Sequence, residues 1–161
     1  MRYVILFLLA VAIVALVLLV LGQMGLLRGK APADLGLQNG KLKRPSRTQN
    51  CVTSQADQWP EHPQKTYSAI TAFKATGDGT AEMTKIAQAL QSMPRTVIIK
   101  QEPTYIYAQS TTKSFKFTDD VEFALDASKG IIDVRSASRL GQKDFGVNRA
   151  RIEAIRAALG Q

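Results

Sequence analysis

The sequence predicts an α+β protein in which an N-terminal single transmembrane helix is followed by an antiparallel sheet packed with at least two helices. Three observations predict it. Tyr3 to Leu27 carries no charged residue, and Tyr3 to Leu21 is almost wholly apolar. Two later stretches place apolar residues at helical spacing. The segments between those two helices are short β-type runs joined by turn residues, and strands grouped with helices before and after them argue for antiparallel pairing.

The first element is the apolar run. Nineteen residues from Tyr3 to Leu21 give roughly 28 Å of helix at about 1.5 Å per residue, close to the hydrocarbon thickness of a bilayer. The run is longer than the apolar region of a secretory signal, and Arg28 and Lys30 separate it from Ala31-Pro32-Ala33, the nearest small-residue cleavage pattern. Residues 1–27 are therefore expected to be an uncleaved single-pass anchor in the inner (plasma) membrane. Residues 28–47 read as a basic juxtamembrane tether, punctuated by Gly29, Pro32, Gly36, Gly40 and Pro45. Residues 48–161 supply enough chain for one globular α+β domain.

Within that domain Ser68 to Ala75 reads as a short strand, and Asp78-Gly79-Thr80 as a turn with a helix start. Met83, Ile86, Ala87, Leu90 and Met93 then recur at helical spacing until Pro94 closes the element. Val97–Gln101 and Thr104–Ser110 flank Glu102-Pro103 as a hairpin. Val121, Phe123 and Leu125 alternate with Glu122, Ala124 and Asp126, and Ile132, Val134, Ser136 and Ser138 continue one face of the next strand. A turn centred on Ser128-Lys129 sets Leu125 opposite Ile132, Phe123 opposite Val134 and Glu122 opposite Arg135. That register also brings Asp120 near Arg135 and Arg139. Ile152, Ile155 and Leu159 mark a final amphipathic helix, stopped by Gly160.

Composition narrows the function. The chain has 161 residues and a formal charge of +8. Residues 28–47 hold six basic residues and one acid, and the domain from 48 onward contributes only +2. The basic excess is thus mainly juxtamembrane, where each Lys or Arg gains about 1 kcal/mol against anionic lipid. With an anchor in the chain, nucleic acid is not an expected partner; membrane lipids are, together with a membrane-protein partner. One cysteine excludes an internal disulfide and any cysteine-built zinc site. No phosphate-binding loop or dinucleotide fingerprint occurs, so no cofactor is expected.

Two groups of residues are candidates for chemistry. Arg135, Ser136, Ser138, Arg139, Asn148, Arg149 and Arg151 surround a strand end, a two-glycine loop and a helix start, where donors converge as a phosphate or carboxylate requires. The competing reading is that Asp120, Glu122, Asp133 and Asp144 neutralise those arginines internally and that Asp144 or Asn148 caps the helix. Cys51 and His62 are the one nucleophile and imidazole pair available, with Asp57 or Glu61 to orient the ring. Against them, a single cysteine is most often a buried small apolar residue. Tyr105, Tyr107, Phe115 and Phe117 sit near Lys113 and Lys116, but alternating aromatics read as core rather than as a base-stacking sheet.

Three blocks carry a family resemblance: Asn50-Cys51-Val52-x-Ser54, Phe117-x-Asp119-Asp120-Val121-Glu122-Phe123, and Val134-Arg135-Ser136-Ala137-Ser138-Arg139-x-Gly141-x-x-Asp144-x-Gly146-Val147-Asn148-Arg149-x-Arg151-Ile152. Together they resemble the domain-of-unknown-function 1499 family, over about Pro45 to Leu159. The resemblance implies a membrane-anchored or exported protein with an extracytoplasmic domain, whereas the charges flanking the apolar run favour the cytoplasm. It implies no reaction. The function expected is a membrane-tethered binding or accessory module contacting an anionic ligand, lipid head group or acidic protein through the arginine-rich loop. A Cys51/His62 hydrolase or transferase and a structural subunit of a larger membrane complex are the alternatives.

Overall fold

A computed structural model describes all residues, Met1–Gln161. The apolar run is one helix, α1 (Arg2–Gln23), with every residue from Met1 to Val20 exposed. At about 1.5 Å per residue its 22 residues span about 33 Å. Over the stretch to Val20 the helix is apolar on all faces and uncovered, so it lacks the packing partner that stabilises helices in water.

The rest is a six-stranded antiparallel sheet with its helices on one face. Its strands are β1 (Cys51–Thr53), β2 (Phe73–Lys74), β3 (Thr96–Glu102), β4 (Tyr105–Thr111), β5 (Thr118–Asp126) and β6 (Ile131–Ser138). The order is β1-β6-β5-β4-β3, with β2 also pairing with β6. The helices are a single turn, α2 (Lys65–Ser68), then α3 (Thr80–Ser92) and α4 (Val147–Ala158).

Pairing across the β5–β6 hairpin follows the predicted register: Leu125 faces Ile132, Phe123 faces Val134 and Glu122 faces Arg135. Because side chains alternate between faces, Val121, Phe123, Ile132 and Val134 fall on the face covered by α3 and α4. There they meet Met83, Ile86, Leu90, Ile152 and Ile155 in one continuous core. Phe73 and Phe123 meet edge-on at its centre, ring centroids 5.7 Å apart. The Asp78-Gly79-Thr80 turn starts α3 as expected, and Gly79 is required there twice over. Its φ is +75°, and a Cβ would lie 2.4 Å from Leu125 Cδ1.

Two segments depart from expectation. Ser68–Ala75 is not a continuous strand, because only Phe73 and Lys74 pair with β6. The carbonyls of Thr71 and Ala72 accept instead from the Arg156 guanidinium, at 2.6 and 3.3 Å, so a side chain takes the place of a ladder partner. The segment read as a tether also does not stand clear of the domain. Leu42 is 1 % exposed and packs with Leu35 on Tyr105, Tyr107 and Ala124, the second face of the sheet. Its backbone is fastened as well: Gly36 N donates to Glu122 Oε1 at 2.7 Å, and Leu42 N to Gln55 Oε1 at 2.8 Å. Asp34 and Lys43 pair across this strap.

Candidate functional site

The arginine-rich corner is built by strand alternation. In the run Arg135-Ser136-Ala137-Ser138-Arg139, the arginines point to the strap face and the serines to the helix face. The run Asp119-Asp120-Val121-Glu122 on β5 divides in the same way, so each acid meets its own arginine.

On the strap face Glu122 and Arg135 are both buried, with Arg135 Nη1 3.2 Å from Glu122 Oε2. Oε1 of Glu122 accepts from Tyr105 Oη at 2.8 Å as well as from Gly36 N. Beside them the Arg139 guanidinium forks onto Asp120, Nε to Oδ2 at 3.0 Å and Nη2 to Oδ1 at 2.7 Å. Tyr107 Oη donates to the same carboxylate at 2.6 Å, and Gln109 Nε2 donates to Tyr107 Oη at 2.7 Å. Burial, followed by the neighbouring carboxylate, pushes both tyrosine hydroxyls above their ordinary range and keeps them protonated donors. The hydrogen bond from Arg139 to Asp120, the larger influence there, raises the arginine further.

On the helix face Arg151 reaches down from α4 to Asp119, 2.6 Å, and donates to Ser136 Oγ and Asn148 Oδ1. Asn148 is completely buried. Its amide nitrogen donates to Asp144 Oδ2, Ser138 Oγ and the Asn50 carbonyl, at 2.9, 3.0 and 3.2 Å. Asp144 caps α4 by accepting from the backbone N–H groups of Gly146 and Asn148. Burial by itself raises this carboxyl, but the hydrogen bonds from Tyr67, Asn148 and the backbone outweigh it and hold the carboxyl below its ordinary range. Tyr67, buried against the same carboxylate, is pushed up to about 12.

The seven residues proposed to hold an anion therefore do come together, but as a closed frame. Arg135, Arg139 and Arg151 each have a carboxylate partner, Asn148 bonds to both Ser136 and Ser138, and Arg151 donates to Ser136 and Asn148. Only Arg149 has no acid. It donates to the Tyr67 and Ala69 carbonyls, 2.7 and 2.9 Å, and borders an open groove of about 460 Å³ that also contains Asp57 and Glu153. Two carboxylates beside one half-exposed arginine are a poor receptor for an anion.

Cys51 and His62 are not an assembled pair. Cys51 is 1 % exposed on the strap face, and its thiol reaches only the Val52 carbonyl, at 3.7 Å. Burial pushes its pKa up, the reverse of what an attacking thiolate needs. His62 is also buried; its Nδ1 accepts from Gln64 N at 3.2 Å and its Nε2 has no partner. Burial, then the positive charge of Arg44, lowers its pKa. No three His, Cys, Asp or Glu side chains converge as a metal site needs.

The Asp119–Arg151 pair escaped sequence reasoning. The strand pattern puts Asp119 on the helix face, and Arg151 precedes the inward Ile152, so the signal lay in combining the two periods. Fold and site together define a small α+β domain behind an apolar N-terminal helix, braced through both faces of its sheet by buried ion pairs. The chain belongs to the family described as Protein of unknown function (DUF1499), whose model matches residues 41–159. A search of curated proteins finds no match to this chain.

Proposed function

We propose that this protein is a membrane-anchored accessory module of the plasma membrane. In this reading α1 is the anchor, and a rigid α+β domain held beside the bilayer acts by contact with lipid and with a membrane-protein partner. The observation that carries it is α1 itself: a 22-residue apolar helix left uncovered from its start to Val20, beside a domain that has its own complete core. Exposing that much apolar surface to water is strongly unfavourable, and a bilayer removes the cost. The basic segment supports lipid contact, since Arg28, Lys30 and Lys41 are exposed and lack carboxylate partners.

Contact rather than bond-making chemistry is favoured because the nucleophile, the imidazole and three of the four arginines are enclosed. An anion-binding role for the arginine corner now rests on Arg149 alone, and an acidic partner or head group fits the exposed juxtamembrane cations better. The test is extraction of membranes with alkaline carbonate, which strips peripheral proteins and leaves spanning ones. The full chain is expected to stay in the pellet, and a Leu9→Arg/Val14→Arg variant to be released. Release of the wild-type chain would overturn the reading.

A further inference from the structure

The C-terminal end of α1 is docked on one end of the domain. Gly22 lies so close to the β4–β5 loop that a Cβ there would be 2.6 Å from the Phe115 carbonyl oxygen, and Gln23 Nε2 donates to the Ser114 carbonyl at 2.8 Å. A few residues on, the Gly29 carbonyl accepts from Arg139 Nη1 at 3.4 Å. These contacts settle which end of the domain faces the bilayer if α1 spans it.

That same end exposes apolar side chains. Phe117, Leu140, Phe145 and Val147 are 37, 43, 93 and 47 % exposed and ring a cavity of about 290 Å³. Phe145 adopts a φ of +52°, a backbone region costly for an aromatic residue, with its ring almost fully in solvent. Such side chains have no reason to gather on a water-facing surface. Around them stand Lys113, Lys116 and Lys143, none with a carboxylate within 4.0 Å, and the exposed Arg28 and Lys30 follow α1. The two acids at the cavity floor, Asp119 and Asp144, are already bound, to Arg151 and to Tyr67 with Asn148.

The structure assigns this rim and its cavity to the lipid bilayer in which α1 sits: the four apolar side chains enter the acyl boundary while the lysines meet anionic head groups. An apolar patch fringed with cations is the composition of interfacial membrane-binding surfaces, and continuity with the end of α1 names the occupant. The inference rests on the anchor reading above. It goes further by fixing how the domain lies, with the Phe145 corner on the membrane and the β5–β6 turn (residues 127–130) pointing away.

The full chain, as Phe145→Trp and separately Ala127→Trp, is reconstituted in phosphatidylcholine/phosphatidylglycerol vesicles and floated on a gradient. Emission is read with the wild-type Trp59 signal subtracted. With lipids brominated near the head-group end of the acyl chain, Phe145→Trp is expected to lose about half its emission and Ala127→Trp almost none. Both positions are exposed, so neither substitution disturbs the core. Quenching of Phe145→Trp by aqueous iodide but not by brominated lipid overturns the proposal. A blue-shifted Phe145→Trp untouched by brominated lipid overturns it too, because a protein then covers the rim. Failure of the chain to float removes the anchor reading, and this proposal with it.

Discussion

Glu122 has no exposed side-chain surface, yet all of its contacts are donors: a guanidinium, a phenol and a backbone N–H. A carboxylate taken out of water in this way is tolerable only while every partner stays, because the desolvation of both charges has already been spent. Glu122→Gln leaves Arg135 charged, buried and unpaired, and is expected to cost about 3–5 kcal/mol in urea unfolding. Asp57→Ala removes an exposed ion pair with Lys65 and shifts the midpoint far less. His62 supplies a pH dependence of defined sign. Its folded pKa lies below the ordinary 6.5, so the unfolded chain binds the proton first. Its contribution is complete above about pH 6.5 and is lost as pH falls through the lower folded value. In His62→Gln this part of the acid limb of the stability–pH curve should vanish; an unchanged limb would show that the ring is not the responsible group.

At the scale of elements, the strap over the second sheet face is the least expected feature. Leu42→Ala removes a fully buried side chain and is expected to cost about 2–5 kcal/mol, read by thermal or urea unfolding of the full chain. A change below about 0.5 kcal/mol would mean that the strap is not part of the cooperative unit. The sequence made some elements plain and hid others for physical reasons. Strands β5 and β6 were legible down to their register because Val121, Phe123, Leu125, Ile132 and Val134 make one face apolar near the turn of defined length that joins them. Helices α3 and α4 were legible from their periodicity. The strap was hidden because Gly, Pro and Lys dominate its local pattern, and only Leu35 and Leu42 record that it covers a face. Strand β2 was overextended because its neighbours' carbonyls are taken by Arg156, which is 84 residues away in the chain from Ala72. The arginine corner was visible as a cluster. Its closure was only half visible, since Glu122–Arg135 and Asp120–Arg139 follow from one hairpin, whereas Asp119–Arg151 needs a helix docked on it.

For the molecule as a whole, the three blocks that carry the family resemblance are the blocks that pair with one another: acids from β5, arginines from β6 and α4, and Asn50 beside the Gly141 loop, donating to its carbonyl at 2.7 Å. The signature is therefore a bracing frame, and the surface left for function is the end of the domain beside α1 and the exposed cations of residues 28–47. The domain contributes little net charge, while residues 28–47 carry most of the +8. That division suits a part anchored at an anionic surface better than one recruited from solution by a long-range field. If α1 is the anchor, it stays attached to the domain. Intact-mass measurement of the protein recovered from carbonate-washed membranes tests it most directly. A single species that still contains α1 is expected. A species beginning after residue 27, or recovery of the protein only in the soluble fraction, would contradict it.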